Sequence, residues 1–356
     1  MTKSEENFFH IVTTSDKKWD DAYSCLPSLQ KDPYFSPSYA KASEKYIFPN
    51  SKVLCAIQEF AGSLYMYPFV QRRIREVSGC LDAPDFLDIR GLYGRSGLAI
   101  SQENSKGQEL FWINFLQYCK EKSIITSFGR VHPSMKVGFQ FQSTFVLHNL
   151  GSEVLVDTTK KSEVILLSAH HAIRKNYRKA ESFGLKFRRA KTEDLIEIYN
   201  IYLDTLSRNM AQSFYRFPLG FFESLFFDLS SGATFYCVSL EDQIISFEIV
   251  LVGGIFAHSF LGGTSSQFLK TQANTFLKIS ICRELNEIGV LEFHLGGGAS
   301  SNDGILKYKM GFSPKNIIQS EIESSILDPE KYQQLKDFFE MRQLPINSRR
   351  NQFYEI

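Results

Sequence analysis

Between Leu285 and Phe312 the chain reads LNEIGVLEFHLGGGASSNDGILKYKMGF, and no other stretch limits its fold as much. The end of a helix runs into a short apolar strand, Val290 to Leu295. Gly296, Gly297 and Gly298 then make a turn, and a new helical segment opens near Asn302. Glycine has no Cβ, so this turn tolerates positive φ and lets the backbone come close to a ligand. Asn302 and Asp303 suit the cap of the following helix, whose first N–H groups and dipole favour an anion. Lys307 and Lys309 stand two apart, so only one of them can face the turn. The pattern fits a place where backbone meets a charged substrate. It also fits a plain αβα connection with turn glycines.

A chain of 356 residues points to two domains of ordinary size. Hydrophobic content of 43% with 22% charged residues describes a soluble globular protein able to bury a full core. The 32 phenylalanines and 16 tyrosines make that core aromatic. A formal net charge of +1 argues against a strongly basic nucleic-acid binder and leaves room for a local patch. Cys25, Cys55, Cys80, Cys119, Cys237 and Cys282 are scattered without a CxxC pair, the pattern of free thiols in a reducing compartment. The polar start MTKSEEN does not read as a signal peptide, and no apolar run approaches a membrane span. A soluble, cytoplasmic protein is expected.

Two prolines open residues 33–46 ahead of a short helix from Ser38. Val53–Phe60 and Leu64–Val70 read as a hairpin about Ala61-Gly62-Ser63. Phe86–Ile100 is glycine-rich and sets Tyr93 and Arg95 among its glycines, as a ligand-wrapping loop or a surface Ω-loop would. Gln108–Lys122 has helical spacing, and strands are expected at Ile124–Val131 and Phe139–Leu147 around His132-Pro133. A helix over Ser162–Phe183, capped by Ser162 and stopped by Gly184, follows. Helices at Thr192–Asn209 and from Pro218, three strands at Ala233–Ser239, Ile244–Val252 and Ile255–Leu261, and a helix over Gln272–Ile288 lead to the opening stretch. A strand at Lys315–Ile322 and a helix at Pro329–Met341 come after it.

The helix over Ser162–Phe183 carries Arg174, Lys175, Arg178 and Lys179 opposite its apolar face. Arg174/Arg178 and Lys175/Lys179 are like-charge i,i+4 pairs, which cost a few tenths of a kcal/mol each, roughly. A near-neutral protein that gathers positive charge here either solvates it or answers an anion such as a phosphate.

In this order the elements, and several runs within them, resemble the FemABX family. The segment Phe256-Ala257-His258-Ser259-Phe260-Leu261-Gly262-Gly263-Thr264-Ser265, Gln272-Ala273-Asn274 at the next helix start, the strand LEFHLGGG and the run GILKYKMGF look like that family's second GNAT-type domain. Its closing Phe-Lys-x-Gly-Phe stands here as Tyr308-Lys309-Met310-Gly311-Phe312. FLDIRGLYGRSG is similar to a Tyr-Asp-Ile…Tyr-Gly-Tyr-Gly-Gly run of bacterial relatives, and Arg174–Ala180 looks like the segment bridging the two domains.

The resemblance implies an α/β fold with mixed sheets, made of two tandem GNAT-like (acyl-CoA N-acyltransferase) domains packed together. The first would span 1–150 and the second 151–325 with the basic bridging helix 162–183; a C-terminal helix and tail would fill 326–356. It also implies an acyltransferase that moves an aminoacyl or acyl group onto an amine of a peptidoglycan or polysaccharide precursor. The donor would be acyl-CoA or aminoacyl-tRNA, with no covalently bound cofactor and tRNA as a possible partner. Lys309 would meet the acidic part of a donor or stabilise the oxyanion. Arg208 and Tyr215 would hold the diphosphate of an anionic nucleotide-sugar substrate. Tyr93, Gly263, Gly296, Gly297, Gly298, Arg174 and Arg178 would complete the substrate contacts.

Two departures bear on this. Gly262-Gly263-Thr264-Ser265-Ser266-Gln267 stands where a general GNAT enzyme has Gln/Arg-x-x-Gly-x-Gly/Ala, and His132-Pro133 stands where relatives have Asp-Pro. His132, His258 and His294 are then the bases to consider, histidine titrating near neutrality. His170-His171 cannot share a helix face and has no acidic neighbour, so no metal site is expected. Acetyl-CoA-dependent N-acetylation of an amino sugar is the second enzymatic reading. A non-catalytic tandem GNAT module that binds an anionic glycan or a partner protein is the third.

Overall fold

The computed structural model describes residues 7–133, 135, 144–229, 232–298 and 304–355. They form two compact units, residues 1–150 with 320–356 and residues 151–319. The boundary therefore differs from the one expected near 325, and residues 326–356 are not a separate tail. The apolar face of the helix Pro329–Met341 explains this. Leu335 and Phe339, with Phe353 and Tyr354, are buried in one cluster with Ile74 and Ile125 of the first unit.

In the first unit the strands Asn7–Thr13, Lys52–Phe60, Ser63–Arg73, Leu87–Arg90, Ile124–Val131 and the latter part of Ile317–Ile326 lie side by side in that order. The hairpin closes at Ala61-Gly62, both with positive φ (48° and 80°), as a tight primed turn requires. Leu87–Arg90 and Ile124–Val131 run parallel, so the chain needs a crossover, which the helix Ser105–Glu121 supplies. Asn104 caps that helix by accepting from the Gly107 amide. Phe111, Trp112 and Phe115 pack from it onto Tyr65, Tyr67 and Phe69, with Tyr67 and Phe115 edge to face at 5.2 Å. Part of the aromatic composition goes into this core. The strand Asn7–Thr13 and the Asp16-capped helix Lys17–Cys25 were not foreseen in the polar N-terminal sequence.

Glu323, on the last of these strands, is fully buried. It accepts from Ser127 Oγ at 2.6 Å, while its Oε1 has no partner among the described residues. Burial pushes its carboxyl from the ordinary 4.5 up to about 7. The folded state therefore holds the proton more tightly than the unfolded one. Its stability is full below about pH 4.5 and is lost as pH rises to about 7. That loss is about 3 kcal/mol at most. Urea melts from pH 4 to 8 are expected to show the decline, and Glu323→Gln to flatten it; an equal slope in both proteins would contradict the assignment.

The second unit repeats the plan. Leu147–Asp157, Glu292–Gly296, Phe256–Thr264, Gln243–Gly253, Ala233–Leu240 and Lys186–Arg189 are neighbours in that order. Again one pair is parallel, Phe256–Thr264 with Glu292–Gly296, and one helix, Ala273–Glu287, makes the crossover. Glu241 (φ 55°) and Gly254 (φ 56°) sit at the hairpin turns expected there. The strand Leu147–Asp157 replaces the one anticipated at Phe139–Leu147, of which 139–143 lie outside the described residues. The expected Asn302-Asp303 cap lies outside them as well.

The single helix expected over 162–183 is two, Ser162–Ser168 and His171–Glu181, with Ala169 and His170 extended between them. Tertiary packing makes the break: Ala169 is buried, and the His170 amide donates to the Gly311 carbonyl at 2.8 Å. The cap is Lys161 rather than Ser162, and Gly184 (φ 70°) ends the segment as expected. Gly311 owes its place to the same contact. A Cβ there would lie 2.8 Å from Ile173 Cγ1 and 3.0 Å from the Tyr308 carbonyl. Gly311→Ala is expected to cost about 1–3 kcal/mol in a denaturant melt, and a neutral result would mean that Ile173 moves aside freely.

Candidate functional site

The second unit contains a cavity of about 490 Å³. It arises where the parallel strands part. They pair only from Phe256–Glu292 to His258–His294. On the other edge the register slips between Ile249 and Val250, whose partners are Leu261 and Ser259, so Phe260 bulges out of the ladder. From Ser259 onward the strand thus runs clear of Glu292–Gly296. Ser259, Phe260, Gly262 and Gly263 make one wall of the cavity.

The helix Ala273–Glu287 begins at the rim, where residues 272–275 line the space. Gln272 turns into it with φ 62°. Thr271 Oγ1 accepts from the Ala273 amide at 3.3 Å and the Gln272 carbonyl from the Thr275 and Phe276 amides, so the helix start brings chiefly its positive dipole to the cavity. Arg208, at the end of the helix Leu195–Arg208, lines the same space and donates to the Thr264 carbonyl at 3.1 Å. Gly263 lets that helix approach, since a Cβ there would lie 2.4 Å from Thr205 Oγ1. From the helix Gly304–Met310 come Tyr308 and Lys309. Lys309 Nζ donates to the Gly297 carbonyl at 2.7 Å, so Lys309, and not the exposed Lys307, reaches the glycine turn. Gly296 takes the positive φ (73°) expected of that turn. The Tyr308 hydroxyl meets Thr275 Oγ1 at 3.1 Å, and burial pushes its phenol up, which keeps it neutral.

Beneath these groups lies a buried ion pair. Lys278 Nζ donates to both Glu248 carboxylate oxygens at 2.6 Å and to Ser259 Oγ at 3.0 Å. Both partners line the cavity and are almost fully buried. Neither was singled out from the sequence. The available signal was a lysine inside a run whose neighbours Leu277, Ile279, Ile281 and Cys282 are all core residues.

Arg208, Gly263 and Lys309 therefore share the cavity, with Gly296 and Gly297 behind Lys309. The other expected residues stand elsewhere. His258 is buried against His294, ring centroids 4.8 Å apart, and His294 meets Glu292 at 3.2 Å. His132 is buried in the first unit, 3.0 Å from Asp32 Oδ2. Tyr93 accepts through its carbonyl from the Tyr39 hydroxyl. Tyr215 accepts through its carbonyl from Tyr202, its ring half exposed and off the cavity. Arg174 donates to the carbonyls of Leu167 and Ala169, and Arg178 and Gly298 are exposed.

Residues 168–310 match the family model described as an acetyltransferase (GNAT) domain. This stretch is a GNAT domain. It spans the parting strands, the crossover helix and Lys309, so the cavity lies wholly within an acyltransferase domain. Among solved structures, FemX superposes with a TM-score of 0.70 at 12% identity, over 92% of this chain and 99% of its own. The C-terminal domain of a putative lysylphosphatidylglycerol synthetase from Agrobacterium fabrum gives 0.55 at 13%, over 91% and 96%. L-PGS from Bacillus licheniformis gives 0.54 at 12%, over 91% and 96%. At such identities the likeness speaks for the fold, which is the α/β tandem GNAT-like fold throughout. No curated protein matches the chain in sequence. No helix among the described residues is long and apolar enough to cross a membrane.

Proposed function

We propose that the chain transfers an aminoacyl or acyl group, from aminoacyl-tRNA or acyl-CoA, to an amine of a cell-envelope precursor in the cytoplasm. The observation that carries this reading is the start of the helix Ala273–Glu287, with its positive dipole, on one cavity with Arg208 and Lys309. Such a set attracts an anionic donor or precursor and leaves the gap between the strands for the reacting carbonyl. Lys309 anchors acidic substrate groups, Arg208 holds phosphate or carboxylate, and the dipole adds to both. The cell-envelope acceptor draws support from the names of the structures that share the fold, among which lysylphosphatidylglycerol synthetase names a lysylated phospholipid.

Thermal shift with acetyl-CoA, alanyl-tRNA and a nucleotide-sugar precursor tests the reading. A rise with one of the two donors is expected; no shift with any of the three would favour a non-catalytic binding module. If alanyl-tRNA is the donor and the patch of Arg174, Lys175, Arg178 and Lys179 makes phosphate contacts, affinity falls steeply with salt. A flat response would remove the patch from donor binding.

A further inference from the structure

We propose that Ser259 donates its hydroxyl hydrogen to the acyl carbonyl oxygen in the cavity, and that the Glu248–Lys278 pair positions it; this rests on the acyl-transfer reading above. An ammonium has three hydrogens, and those of Lys278 go to Glu248 Oε1, Glu248 Oε2 and Ser259 Oγ. Ser259 is therefore the acceptor in its bond with Lys278, and its own hydrogen has to point elsewhere. Among the described residues it has no acceptor, and Ser259 stands on the cavity wall beside the Phe260 bulge. A hydroxyl that accepts from a buried cation is polarised and becomes the stronger donor. Lys278 itself is fixed, since Glu248 holds it from one side and the Phe293 ring lies 5.7 Å away. The donor hydrogen is thus set in place before the reaction, and no water has to reorganise for it to act.

The chemistry is balanced without a further reactant. The amine nitrogen bonds to the carbonyl carbon, and the π pair moves onto the oxygen held by Ser259. Collapse of that adduct re-forms the carbonyl and breaks the carbon–sulfur or carbon–oxygen bond. The leaving thiolate or ribose oxygen keeps that pair and takes up the proton the amine loses. Ser259 is the catalytic residue here, Lys278 and Glu248 positioning residues.

The test compares the affinity of the full chain for acetyl-CoA and for S-ethyl-CoA, a thioether with CH2 in place of the carbonyl. It also compares alanyl-tRNA with deacylated tRNA. Wild type is expected to favour the acylated member of whichever pair it binds. Ser259→Ala should lose roughly three- to ten-fold of that preference, and Ser259→Thr should keep it. The double variant Glu248→Gln with Lys278→Met removes both buried charges at once and so preserves the fold. Its preference is expected to fall towards that of Ser259→Ala, which a purely structural ion pair would not cause. A folded Ser259→Ala with wild-type preference would overturn the assignment and leave acyl transfer standing. Failure of wild type to bind either pair would overturn both.

Discussion

Lys309→Ala is expected to lower turnover at limiting substrate about 10- to 100-fold, the scale lost when a charge-assisted contact to an acidic substrate group is removed. Its ammonium is tied to the Gly297 carbonyl at 2.7 Å and lines the cavity together with Arg208 and the start of the helix Ala273–Glu287. The loss should be far larger in kcat/KM than in the melting temperature, because Lys309 is only partly buried and its helix rests on Leu306. Lys309→Arg keeps the charge but not the compact ammonium that fits the carbonyl, so partial activity is expected. Turnover equal to wild type in Lys309→Ala would take this residue out of the mechanism.

The second large effect concerns stability. Lys278→Ala strands the Glu248 carboxylate in the core, with no other described donor to it, and is expected to cost about 3–5 kcal/mol. Removing both charges together should recover most of that, since a well-packed neutral pair is often as stable as a buried ion pair. Equilibrium urea unfolding of the single and double variants measures the difference. A Lys278→Ala protein as stable as wild type would mean that water reaches Glu248 in solution.

Much of this was legible in the residues, because local physics governs the parts concerned. The turns at Ala61-Gly62 and Gly254, the stop at Gly184 and the helix Pro329–Met341 all follow from glycine and proline chemistry. The glycine turn and the helix that carries Lys309 were legible for the same reason, while the contact of Lys309 with the Gly297 carbonyl spans 12 positions. What escaped notice depends on distance along the chain. Glu248 and Lys278 are separated by 30 positions and meet only through the crossover. The break at Ala169–His170 is imposed by Gly311, far downstream. His132 and His258 looked available as bases because sequence alone says nothing about burial, and the fold places both inside. Tyr93 and Tyr215 contribute main-chain carbonyls to the contacts described, and no pattern of side chains signals that.

The return of residues 320–355 to the first unit bears on how the protein is made. Tyr354 donates to Asp88 at 2.7 Å, and Asp88 is gripped by Arg72, which also holds Glu355. Residues 151–319 are continuous and leave the ribosome before those partners exist. The half that begins first is therefore finished last: its sheet waits with an open edge while the GNAT domain can already close, and that interval is when a nascent chain of this kind most needs a chaperone.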